Sequence, residues 1–158
     1  MSKANTQDQK SESRYANEDL LLNIGFKRIG ASSVFKKGSG TYILSPGVSR
    51  GQNDKYWFDV RDANVKKMEG GKTAWVMLRI VPSSFSIFPM THVLKRLNSS
   101  TQGIRKNSGM VCGFGCAIDQ HAQKIHISVN SGSMPGFSAD LLDRDGARME
   151  LNEKLSEA

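Results

Sequence analysis

Two segments in the middle of the chain alternate with a period of two. In KYWFDVR, residues 55–61, Tyr56, Phe58 and Val60 fall on one face and Lys55, Trp57, Asp59 and Arg61 on the other. In TAWVMLRIV, residues 73–81, Ala74, Val76, Leu78 and Ile80 form an aliphatic face, while Thr73, Trp75, Met77 and Arg79 form a mixed one. Both patterns predict strands that turn their apolar side to a core. FKRIG, SVFKK and TYILS, between residues 26 and 45, are shorter runs of the same kind divided by Gly and Ser. SFSIFPM predicts a further strand, and MVCGFGCAID and KIHISVN, joined by QHAQ, predict a hairpin.

Helical signals surround these strands. NEDLLLNIGF starts with Asn17 as an N-cap, places Glu18 and Asp19 where the helix dipole favours acids, and stops near Gly25. DANVKKMEGGK predicts one helical turn capped by Asp62 and ended by Gly70 and Gly71. THVLKRLNS carries Val93, Leu94 and Leu97 at helical spacing, and the tail predicts a helix around Leu141 and Leu142. SPGVSRGQNDK and NSSTQGIRKNSG read as loops. Residues 1–14 are polar and without periodicity, which predicts a disordered arm; residues 15–138 form the globular part, and residues 139–158 an acidic segment, partly helical or frayed. The fold expected is a single α+β domain, mainly an antiparallel, strongly bent sheet or pseudobarrel with short flanking helices.

A chain of 158 residues, 38% of them hydrophobic, can bury one core without disulfides or metal. It contains no apolar run of membrane-spanning length and opens on MSKANTQDQKSESRY, which lacks a signal-peptide pattern; a cytoplasmic protein is expected. Cys112 and Cys116 are then reduced thiols. The formal charge of +7 is unevenly spread: −1 over residues 1–25, +11 over residues 26–129 and −3 over residues 130–158. A middle that basic predicts a polyanionic partner, nucleic acid before any other.

Three groups of residues could carry chemistry. Asp59 sits where metal-dependent nucleases of the restriction-endonuclease type place their first acid, but the following strand offers Met77 and Arg79 where an acid and a lysine are needed to hold Mg²⁺ and assist water. Cys112, Cys116, His121 and His126 are ligand types for zinc, yet only four residues separate Cys116 from His121, too few for a finger. Buried thiols, with Gly113 and Gly115 opening the opposite face to a ligand or backbone, are the expectation. The third group is Lys55, Trp57 and Arg61 beside Trp75 and Arg79 if the two strands are neighbours. Cations neutralise phosphates and flat rings stack on bases. Arg50, Gln52 and Asn53 in the adjoining loop, and Lys66 and Lys67 after it, extend this surface.

YWFDV, a basic connector, AWVMLRIVPSSFSIFP, THVLKRL and a returning strand pair, spanning about residues 54–129, resemble the accessory DNA-recognition modules of prokaryotic restriction systems. That resemblance implies a pseudobarrel of about seven strands whose basic loops meet the major groove, and a prokaryotic or phage setting. It transfers no individual contact residue. The function expected is a DNA-binding module that does not cleave, with double-stranded DNA as partner and no cofactor; a metal-dependent nuclease and a module binding an acidic protein are the alternatives.

Overall fold

The computed structural model describes residues 18–51, 55–80, 84–98, 102–105, 109–130 and 134–155. The expected N-terminal arm, the Asn17 cap and the candidate contacts Gln52 and Asn53 lie outside them. Helical residues 18–23, named α1, end at Gly25, whose φ of +96° suits glycine alone at low cost. Strands β1 (Lys27–Arg28), β2 (Val34–Lys37), β3 (Thr41–Leu44), β4 (Ser49–Arg50) and β5 (Lys55–Arg61) follow. Helix α2 (Asp62–Lys67) leads to β6 (Thr73–Ile80) and β7 (Ser84–Pro89), and α3 (Thr91–Leu94) to β8 (Gln102–Arg105). The chain closes with β9 (Gly109–Asp119), β10 (Lys124–Val129), β11 (Phe137–Asp140) and α4 (Arg144–Leu155).

The strands make two sheets. One has the order β1-β2-β3-β6-β7, the other β11-β10-β9-β5-β4, with β8 also paired to β9. All pairings are antiparallel except β3 with β6. A parallel neighbour needs a crossover, and the intervening β4, β5 and α2 provide it by passing through the second sheet. The domain is therefore α+β with strongly bent sheets and no closed barrel; among the described residues eleven strands lie in two sheets rather than the seven or so of the pseudobarrel expectation.

Period-two patterning explains the packing. Tyr56, Phe58 and Val60 of β5, Val76, Leu78 and Ile80 of β6, and Cys112, Phe114 and Cys116 of β9 meet in one core between the sheets. Phe58 stacks on Phe114 with ring centroids 5.2 Å apart and planes 6° from parallel. A second core covers the other side of the five-stranded sheet. There Leu20 and Leu21 of α1 and Ala147 and Leu151 of α4 pack on Phe35, Ile43, Met77 and Phe85. The layers thus run helices, sheet, sheet, and the outer face of the six-stranded sheet carries no helix among the described residues.

Several local expectations change. The strand β8 lies in what reads as a loop, and β11 where the tail was expected to be helical; the helix begins only at Arg144, after Leu142 bridges to Phe85. Both strands are short and polar, so their apolar periodicity is too brief to signal them. Arg96 donates to the Pro135 and Gly136 carbonyls, which fixes the chain entering β11, and to the His92 carbonyl on its own segment. Helix α4, whose three cations balance its three acids, docks on the five-stranded sheet, with Arg144 donating to Asp19 of α1 at 2.7 Å. It lies on the side of the molecule away from β5's outer face.

Candidate nucleic-acid interface

On β5 the outward residues are Lys55, Trp57, Asp59 and Arg61, set opposite Ala117, Gly115, Gly113 and Val111 of β9. Lys55 and Arg61 are exposed, and Trp57 is 40% exposed, the larger aromatic surface on this face. Neither cation makes an ion pair among the described residues. Gly113 and Gly115 of β9 put no side chain of their own beside Asp59 and Trp57. Asn130 lies over Gly115: a Cβ there would come 3.0 Å from its Oδ1, so this amide belongs to the same surface.

Trp57 is held from the side by the β4–β5 connection. The Gly51 amide donates to the Lys55 carbonyl at 2.7 Å, and a Cβ on Gly51 would stand 2.4 Å from Cζ3 of the indole. Only glycine lets the ring lie directly on this backbone. Ser49, opposite Trp57 in the register, is buried next to it. Ser33, Ser49, Trp57, Asp59, Arg61 and Asn64 border a cleft of about 260 Å³ between β5, the start of α2 and the loops before β2 and β4. Ser33, Ser49, Asn64 and Asn130 come from segments with no local motif, and spacing along the chain could not have drawn them together.

The structure separates the tryptophans. β6 lies in the other sheet, between β3 and β7, so Trp75 and Arg79 do not join Lys55, Trp57 and Arg61. Trp75 packs on the helix-covered core with Lys154 Nζ 5.3 Å from its ring centroid, and its Nε1 is buried without a hydrogen-bond partner among the described residues. Arg79 is 5% exposed and engaged within the protein. Both leave the proposed contact set because the mixed face of β6 is covered by helices. Arg50 pairs with Tyr56, which puts it on the inward side of the edge strand, half-buried. Lys66 is held by Asp62 at 3.2 Å within α2, whereas Lys67 is exposed beside it.

The four zinc-type residues do not converge. Cys112 and Cys116 point into the core between the sheets, whereas His126, paired with Ala117, points outward and bonds Ser138 Oγ at 3.1 Å; His121 lies in the hairpin turn. Thiols and imidazole are on opposite faces of one sheet, which a single metal cannot bridge. Burial pushes the Cys116 thiol up to about 12, so it stays protonated and inert. Asp59 faces Gly113 on its paired strand, so β9 supplies no second carboxylate there, and no group of three or more Asp, Glu, His or Cys suited to a metal occurs among the described residues.

Compared with protein-family models, curated proteins and solved structures, the chain matches none of them.

Proposed function

We propose that the protein is a DNA-binding module that holds double-stranded DNA on the outer face of its six-stranded sheet, along β5, without cleaving it. The observation that carries this reading is the row Lys55, Trp57 and Arg61, two cations without an ion pair among the described residues around an exposed indole, on the outer sheet face that α2 borders only at one end. Phosphate contacts from Lys55, Arg61 and Lys67 supply affinity, and the charge of +11 over residues 26–129 supplies the long-range attraction. Helix α4 packs on the five-stranded sheet, so it leaves this face open to a polyanion. The resemblance to accessory DNA-recognition modules of restriction systems supports such a role.

A mobility-shift comparison of double-stranded, single-stranded and methylated DNA with RNA of the same sequence tests the proposal. Duplex DNA is expected to bind, with affinity that falls as salt rises. No shift on any probe at about 50 mM salt, where phosphate contacts are strongest, would remove the reading. Cleavage of the duplex in Mg²⁺ or Mn²⁺, abolished in Asp59→Ala, would replace it with the nuclease.

A further inference from the structure

The cleft beside Trp57 is built differently from the flat sheet face next to it. Its volume of about 260 Å³ lies just under the range of roughly 300–1,000 Å³ typical of sites for drug-sized ligands. One planar heterocycle fits such a space, and a duplex does not. The lining also departs from an ordinary apolar pocket, since Ser33, Ser49, Asp59, Arg61 and Asn64 all bring polar side chains to it.

We infer that this cleft receives a single nucleobase swung out of the DNA stack, and that it favours a base carrying an exocyclic amino group. The inference rests on the DNA-binding reading above and specifies what that surface recognises. Trp57 offers an indole fixed by the Gly51 backbone, so a base can stack on it without first ordering a loose side chain. Asp59 is an acceptor-only group; it already interacts within the protein, but a carboxylate has about four lone-pair sites, so a further donor can join it. Cytosine, adenine and guanine present such an amino donor, whereas thymine and uracil offer the carboxylate only a ring N3–H flanked by two carbonyl oxygens that oppose it. Asn64 supplies a donor and an acceptor together, which suits the mixed edge of an amino-bearing base. Arg61, exposed at the rim, is placed for the phosphate of the extruded nucleotide.

Extrusion is cheapest for a base that has no pairing partner. The full-length protein is therefore titrated, by fluorescence anisotropy, with otherwise identical duplexes that carry C, A, G or T opposite an abasic position, and with one that is abasic on both strands. The three amino-bearing probes should bind about 10-fold tighter than the thymine and doubly abasic probes, a size set by one base stacked and hydrogen-bonded. Asp59→Asn, which keeps the shape and adds a donor, should erase or reverse the preference over thymine. Trp57→Ala should bring all five probes to one affinity, with folding of each variant checked by its thermal transition. Equal affinity of the wild-type protein for all five probes overturns the cleft's role and leaves the DNA-binding surface standing. A preference for thymine overturns the choice of amino-bearing bases. Binding to no probe takes away the DNA-binding reading and this inference with it.

Discussion

Replacing Lys55 and Arg61 together by alanine removes two cations at the two ends of the outer face of β5, with Trp57 and Asp59 between them, that are bound to no carboxylate among the described residues. If each neutralises one phosphate of a duplex, the slope of log K against log salt should become shallower by about 1.8, at ~0.9 per contact. Between roughly 50 and 200 mM salt that slope difference corresponds to about 12-fold, so the affinity gap between wild type and variant should shrink by that factor across the range. Because both side chains are exposed, the change in folding stability should stay within about 0.5 kcal/mol, and any binding loss is not a folding loss. Titration of one labelled duplex at four or five salt concentrations, beside urea unfolding of both proteins, measures both quantities. Arg79→Ala is the informative contrast: with the side chain 5% exposed, its loss should cost about 1–3 kcal/mol of stability and leave the salt slope alone. Parallel lines for wild type and the Lys55/Arg61 variant would show that DNA, if bound, does not lie on this face.

Three further outcomes follow from the cores and the titratable groups. Phe114→Ala, at 0% exposure and stacked on Phe58, should lower stability by about 3–5 kcal/mol, read as a lower urea midpoint with the m-value unchanged. Cys112 and Cys116 should resist a thiol reagent in the native protein and both react in urea, because each is buried and the Cys116 thiol is raised to about 12; rapid native labelling at neutral pH would contradict the placement of β9. His92, stacked on Phe137, is held below its ordinary 6.5 by burial first and then by Arg96 and Lys95. The fold thus prefers its neutral form, so its contribution is fully present above about pH 6.5 and is lost as pH falls through the lowered folded value. His92→Gln should flatten stability over that acidic window, and an unchanged pH profile would assign the dependence elsewhere.

How far the fold was legible depended on what covers each strand face. For β5 the alternation sufficed, because one side is core and the other is solvent, so Tyr56, Phe58 and Val60 separate cleanly from Lys55, Trp57 and Arg61. For β6 the same pattern correctly put Ala74, Val76, Leu78 and Ile80 together but misled about the reverse face. Trp75, Met77 and Arg79 look half-polar in sequence, yet two helices from opposite ends of the chain cover them. Periodicity states which residues share a face; it does not state what lies against that face. The covering elements here are more than sixty residues away from Arg79 on the C-terminal side and in the first helix on the N-terminal side, so no local signal announces them.

The same limit explains the candidate site. Two adjacent segments with strand patterning suggest adjacent strands, because sequential strands pair or neighbour in about two-thirds of cases. Here the chain leaves β3 for the second sheet and returns to pair β6 parallel to it, so the nearest strands in sequence are in different layers. That single topological step removes Trp75 and Arg79 from the surface and brings Ser33, Ser49 and Asn64 to it. The basic charge on that side is thereby concentrated on fewer residues than the sequence implied. Arg79 and Arg96 are buried, and Lys66 and Lys124 are matched by Asp62 and Asp140. Under the proposed DNA-binding role, affinity rests on a small number of phosphate contacts, which predicts a shallow salt dependence and leaves a larger share of selectivity to Trp57 and the polar cleft beside it.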